Sequence, residues 1–493
     1  MKIKKITYTI LIGCFLLLNT GCEQWLEVLP ENKVLRDEFW QSKQDVEGML
    51  ASAYDAFRAT EEAIIVHGEL RAGALTDGGA IKADAGRIDK FDILPTNSWS
   101  SWARYYKAIG YANIIYKMAP VAEKNDPIFY EPEMKSYQAE ALFIRALCYF
   151  YLVRTWEEVP LITEPYETDK QEFSIAKSSA DEVLDQIEAD LKIAIGSAKL
   201  KFDKLSYTKG RATQWAAKSL LADVYLWRDK YDLAKQLCTD IIQNSGITLT
   251  PPEGWFSIYN PGNSVESIFE IQHTTYNKQE GPLYTLFKKD RIYGVSDEFD
   301  TYSWNVYNEV TDVRKYGAHY KTTLYKYWGA RKMMELEVDP PERSGNARDV
   351  NFPIYRIADL YLILAEAQTE LNDFEGAKST LDELRTARGI ENKVNVSSDR
   401  ISLEDFILEE RVREFVGEGK EWFDLLRIAK RNNFERKQKL INMALQAVTA
   451  KDLPIMRSRL QNPKSYYLPI SIGELKNNRK LVQNPYYEDV TEI

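Results

Sequence analysis

Apolar residues recur at helical spacing in three places along the chain. Ala139, Leu142, Phe143, Ala146, Leu147 and Phe150 fall at i, i+3, i+4, i+7, i+8 and i+11, a wide stripe down one face of a helix. The same template returns at Ala217, Leu220, Leu221, Val224 and Tyr225, and again at Ile357, Leu360, Tyr361, Leu364 and Ala365. All three predict amphipathic helices. After the second comes RDKYDLAKQLCTDII and after the third LNDFEGAKSTLDEL, so that Tyr231 and Ala234 occupy the places of Phe374 and Ala377. One offset also aligns Ala222 with Ala365 and Asp223 with Glu366.

In both cases a short polar turn leads into a second helix whose small Ala permits close approach. Such tetratricopeptide-type helix pairs cannot bury their faces alone and must stack. The expected fold class is therefore mostly α, a scaffold of tetratricopeptide-like helix pairs with long irregular loops and few short strands. The texture changes from Pro251 to about Pro353, where Gly, Pro, Asn and aromatics accumulate and helical periodicity is weak. Loops of that length inside a compact domain are more often functional than accidental. Residues 284–328 are densest in rings, with Tyr293, Trp304, Tyr307, Tyr320, Tyr325 and Trp328 among them, in a stretch where the pattern predicts little core.

The first residues change the picture of where the chain resides. Lys2, Lys4 and Lys5 precede an apolar run, Ile10 to Leu18, that is shorter than the roughly 20 residues a bilayer-spanning helix requires. Residues 1–21 thus read as a removable signal, and Gly21 before Cys22 resembles the lipobox of bacterial lipoproteins, in which Cys22 carries lipid; the alternative is an ordinary signal peptide with a chance cysteine. Loss of the three lysines lowers the formal charge from −10 to −13. A surface that acidic repels phosphate backbones and argues against nucleic acid as a partner. Cys148 and Cys238 each sit in an apolar helical pattern and read as buried free thiols, with one disulfide the weaker alternative. The expected organisation is a tether over 22–40, an N-terminal helical region over 41–250, a loop-rich ligand-binding region over 251–353 and a C-terminal region over 354–493, all in one compact body.

Several blocks carry a family resemblance. YRIADLYLILAEAQTELNDFEGAKSTLDELRTARGI (355–390), EERVREFVGEGKEWFDLLR (409–427) and YYLPISIGELKNNRKLVQNPYY (466–487) resemble the C-terminal signature blocks of the SusD/RagB family. WLEVLPENKV, FWQSKQDVEGMLASAYDAF and WARYYKAIGYANIIYKM fit as well, while Ser471 and Arg479 stand where that family has prolines. The resemblance implies a surface lipoprotein of Bacteroidota, attached to outer-membrane lipid by acylation of Cys22. It implies a body that sits as a lid on a SusC-like TonB-dependent outer-membrane transporter, delivers oligosaccharide or, less often, peptide to it, and catalyses nothing.

Glu409, Glu410 and Glu414, with Glu418, Glu421 and Asp424 beyond, invite a glycosidase acid and base pair. Glu410 to Arg413 and Asp424 to Arg427 are i, i+3 neighbours, however, and such spacing predicts solvated or interhelical ion pairs. GEGKEW (417–422) reads as a turn between two helices. His67, His273 and His319 are isolated and predict no metal site, and no cofactor is expected. Sugars present flat C–H faces rimmed by hydroxyls, so a sugar site needs exposed rings beside Asn, Asp or Arg. Two segments offer this: residues 76–102 with Asp77, Arg87, Asn97 and Trp99, and residues 291–314 with Tyr293, Trp304, Tyr307 and Asn308. Trp102 is expected to pack at the start of the following helix. A peptide-binding lid, a protein-binding repeat scaffold and, least favoured, a hydrolase remain as alternatives.

Overall fold

The computed structural model describes residues 39–490 except 168, 169, 277, 300–310, 321, 322, 325 and 328–347. In the N-terminal half run α1 (Lys43–Arg58), α2 (Glu61–Gly68), α3 (Ala83–Asp89), α4 (Ala103–Asn125), α5 (Glu131–Trp156) and α6 (Ala180–Ser197). Local chemistry sets their ends. Ser42 with Asp45 and Ser179 with Glu182 close capping boxes on α1 and α6, and Pro132 lies in the first turn of α5, where its missing N–H has no intrahelical partner to lose.

The stripe over 139–150 departs from the amphipathic helix expected of it. Every residue of α5 from Ala139 to Trp156 is buried, because α1, α4 and α6 pack around it and cover it on all sides. Arg145, the cation this burial strands, meets Asp190 of α6 in a two-pronged pair with both bonds at 2.7 Å.

The repeated pairs fold as expected. α7 (Gln214–Trp227) pairs with α8 (Tyr231–Asn244), α9 (Ile357–Glu370) pairs with α10 (Phe374–Thr386), and α8 packs on α9 so that one pair stacks on the other. Ala234 and Ala377 are fully buried where the helices approach. The turns match in backbone too: Asp229 and Asn372, equivalent under the same offset, adopt left-handed φ of 56° and 61°, a region Asp and Asn tolerate better than most residues. α11 (Arg400–Phe415) and α12 (Glu421–Phe434) follow, joined by a turn in which Gly417 and Gly419 take φ of 82° and 75°. The end of α2 presses on that turn so closely that a Cβ on Gly68 would stand 2.0 Å from the Gly419 carbonyl oxygen.

Six short strands form three antiparallel pairs among the described residues: β1 (Leu75–Asp77) with β3 (Tyr293–Val295), β2 (Ser267–Ile271) with β6 (Phe352–Arg356), and β4 (His319–Tyr320) with β5 (Thr323–Leu324). The irregular region holds more core than its pattern predicts. Phe287, Tyr293, Phe299 and Tyr327 are buried, together with Trp255 and Tyr259. Short strands and single turns bury side chains without a helical period, so no stripe announces them. One hydrophobic cluster runs from Trp40 to Tyr487, and a smaller one joins α9, α10 and α11.

Candidate functional site

The segment after β1 is a tightly bonded unit and not the open loop expected over 76–102. Asp77 Oδ1 accepts from the N–H groups of Gly79 and Ile81 at 2.8 and 3.0 Å and turns the chain toward α3. On α3, the Asp84 carboxylate accepts from Ser98 N at 2.9 Å, and its carbonyl accepts from Asn97 Nδ2 at 2.9 Å. The Ser98 amide holds the Asp84 carboxyl below its usual range. Asn97 Oδ1 in turn accepts from Trp99 N at 2.9 Å and caps the short turn Ser98–Ser100.

Asn97 is therefore corrected from a ligand residue to a structural one: it is 3% exposed and its amide is consumed inside the unit. Trp99 is half-buried, with its indole over the core and one side reached by the Arg104 guanidinium, 5.0 Å from the ring centre. Beneath it, His67 donates Nε2–H to the Trp99 carbonyl at 3.0 Å, which fixes the tautomer. Burial, with Arg104 and Arg71 adding to it, pushes His67 well below its usual range, so the imidazole is neutral. Asp77 and Arg87 are exposed, Arg87 pairing with Asp92 at 2.9 Å. Trp102 is buried at the N-cap of α4, as expected.

The two candidate segments meet through the β1–β3 pairing, in which Asp77 lies directly opposite Tyr293. Tyr293 itself is corrected: its ring is 2% exposed and its hydroxyl donates to Glu62 Oε1 at 3.2 Å, so it offers no platform. All three residues of β3 are buried, and the Tyr293 ring packs edge-on against Phe287, 6.3 Å between ring centres. Trp304, Tyr307 and Asn308 lie outside the described residues, as does Cys22.

Sequence reasoning missed two residues here. Arg104 reaches Trp99 only because α4 starts beneath the 98–100 turn. Asp89, at the end of α3, is pushed up to about 7 by burial, with Asp77 and Asp452 raising it further against the counter-pull of Lys90. Neither has a local sequence signal. The depression lined by Gly73, Ala74, Phe299, Glu409, Val412, Glu421, Met443 and Gln446 leaves about 20 Å³ for a water-sized group, too little for a sugar ring. No group of three or more His, Cys, Asp or Glu among the described residues is placed to hold a metal. Cys148 and Cys238 are buried and free.

Glu410 and Glu414 of α11, and Glu418 just after it, are ion-paired, but they are buried and not solvated, and most of their partners come from outside the helix. Glu410 pairs with Arg314 at 2.7 Å and Arg413 at 2.9 Å. Glu414 pairs with Arg314 at 2.8 Å, Arg388 at 2.7 Å and also Arg356, while Glu418 takes Lys326 at 2.7 Å and Arg356 at 3.1 Å. Burial alone would raise these acids. Arg314 and Arg413 outweigh it at Glu410, holding it at about 2, and Arg388 and Arg356 hold Glu414 well below the usual carboxylate range. A glycosidase acid needs a raised pKa and an open face, and these side chains have neither.

Residues 235–487 match the model of the SusD family, and residues 24–226 match one described as starch-binding associating with outer membrane. SusD-like protein P38 of Formosa agariphila is 27% identical over 485 residues, 87% of this chain and 92% of its own length. A SusD-like protein of Bacteroides ovatus is 27% identical over 481 residues, 86% of this chain and 83% of its own. Among solved structures, a SusD superfamily protein of Bacteroides vulgatus superposes with a TM-score of 0.72 at 20% identity, covering 91% of this chain and all of that one. A laminarin-binding SusD-like protein superposes with a TM-score of 0.68 at 24% identity, covering 90% and 99%. The outer-membrane location that the family resemblance implies agrees with the second description. With over half its length matched by the first model, and with the stacked helix pairs just described, the chain belongs to the SusD family.

Proposed function

We propose that the protein is a non-catalytic cell-surface lipoprotein, acylated at Cys22, that captures oligosaccharide and passes it to a SusC-like TonB-dependent outer-membrane transporter. The single observation that carries the glycan part is Trp99. Its ring is half open and flanked by Arg104, its backbone carbonyl is held by His67, and it is set in one bonded unit with exposed Asp77 and Arg87. A rigid ring beside fixed polar groups suits a sugar's flat face and its hydroxyl rim. The family description of starch binding and the laminarin-binding relative support this ligand class. Trp304, Tyr307 and Asn308 belong to the same proposal on their sequence setting alone, in the segment that follows β3.

Glycan-array binding by residues 23–493, followed by calorimetry, tests it. Dissociation constants of roughly micromolar to millimolar are expected. Trp99→Ala, folded by circular dichroism, should bind about tenfold more weakly, a loss of about 1.4 kcal/mol. Unchanged affinity in that variant would move the site away from this edge. Binding that soluble glycan does not compete would favour a peptide or protein ligand instead.

A further inference from the structure

At the start of the body, one end of the molecule collects apolar and basic side chains that nothing among the described residues covers. Phe39 to Lys43 dock on the turn between α4 and α5: Asn125 Nδ2 donates to the Trp40 carbonyl and Lys43 N donates to Asp126 Oδ2, both at 2.9 Å. From that turn Ile128 and Tyr130 stand out, 66% and 65% exposed. Glu133, in the first turn of α5, takes Lys43 Nζ at 2.6 Å and Lys199 Nζ at 3.9 Å, which brings the α6–α7 connection alongside.

That connection reads KLKFDKLSY over 199–207, lysines alternating with apolar residues. Leu200, Leu205 and Tyr207 are 55%, 61% and 48% exposed, and Lys204 Nζ lies 5.2 Å from the Tyr207 ring centre. The neighbouring acids are already engaged: Glu131 with Lys135 at 2.7 Å, Glu133 with its two lysines, and Asp126 with the N–H groups of Lys43 and Ile128. Among the described residues Lys201 and Lys204 have no such partner, and Asp203 is the one exposed acid of the connection.

We propose that this end of the body rests on an anionic lipid headgroup surface, with Ile128, Leu205 and Tyr207 entering the interface and Lys201 and Lys204 meeting phosphate oxygens. Lysines whose stems lie along apolar side chains, beside a Tyr, are the composition that stays at a headgroup boundary. The placement rests on the reading of Cys22 as the acylated residue. Phe39 follows Cys22 by 17 residues, at most about 60 Å of extended chain, and the tether joins the body at this end. Without residues 1–21 the chain carries −13 and as a whole is repelled by anionic lipid. A local lysine excess on one end therefore sets an orientation and leaves the acidic remainder facing away.

Cosedimentation of residues 23–493, which hold the whole core and lack the acyl group, with vesicles tests the proposal. Pelleting is expected with phosphatidylglycerol-rich vesicles, weaker at high salt, and little with phosphatidylcholine alone. Lys201→Glu with Lys204→Glu, and separately Leu205→Ser with Tyr207→Ser, should each weaken binding about tenfold while circular dichroism stays unchanged. No pelleting, equal pelleting with both vesicle types, or variants that pellet like the parent would each overturn it. So would variants that lose only self-association or binding to a transporter barrel. Fatty-acid labelling of the full chain reads Cys22 separately: an unlabelled chain whose body still pellets removes the anchor and leaves the surface.

Discussion

Glu418 and Glu421 lie three residues apart, both buried, and their carboxyls are pushed in opposite directions. Glu418 belongs to the ion network that ties Arg314 and Lys326 to α11 and the turn after it, where Arg356 and Lys326 outweigh burial and lower it. Glu421 points the other way, toward the loop edge. It accepts only the Ala74 N–H at 3.2 Å, and burial together with the nearby Glu69 raises it well above its usual range. Glu69 accepts from Gly419 N and Lys420 N at 2.7 and 3.1 Å, yet burial still lifts it to about 7. Peptide N–H groups, even with Lys326 nearby, do not offset burial here as the paired guanidiniums do for the α11 acids. The scaffold is thus held by charge pairs, while the edge beside the candidate site carries acids whose carboxyls are raised.

The largest effect should come from breaking the paired side. Glu414→Gln leaves the guanidiniums of Arg314, Arg356 and Arg388 facing a neutral amide and should cost about 3 to 5 kcal/mol in urea unfolding. A shift below about 1 kcal/mol would mean the network adds little to the scaffold.

The pH dependence sharpens the contrast. A carboxyl raised in the folded state favours folding at low pH, and that contribution is lost as pH climbs from about 4.5 to about 7 for Glu69. A lowered one works in reverse: Glu410 contributes above about 4.5 and loses this as pH falls toward about 2. Glu69→Gln keeps an acceptor for the two N–H groups and removes the charge. It should raise the urea midpoint at pH 8, by up to about 3 kcal/mol, and do little at pH 5. A variant less stable than the parent at pH 8 would show that Glu69 is ionised without cost.

The smallest effect probes the scaffold away from charge. Ala234→Leu or Ala377→Leu overpacks a helix crossing and should cost about 1 to 3 kcal/mol. No detectable change at both positions would mean that the two pairs do not approach as closely as the repeat implies.

Local spacing made much of this legible. The shared offset located both helix pairs, and the Asp229 and Asn372 turns repeat even in φ. Glu410 with Arg413 and Asp424 with Arg427, at 2.9 and 2.7 Å, are the i, i+3 contacts that helical geometry dictates. Arg314, Arg356 and Arg388 were not legible, because they reach α11 from segments far away in sequence. Trp99, Asn97 and Tyr293 were all singled out by a setting rich in Gly, Asn and Asp; the Trp99 ring stays half open, whereas the polar atoms of Asn97 and Tyr293 are used up inside the fold.

The sequence by itself determined which segments become helices, which pairs repeat and which family the blocks resemble, since these depend on residues within a few turns of one another. Only the tertiary structure decided which rings stay open and which carboxyls are held charged. Exposure and local dielectric are set by whatever the rest of the chain brings alongside, and for Tyr293 that is β1 and Glu62, while for Glu414 it is three arginines from separate elements.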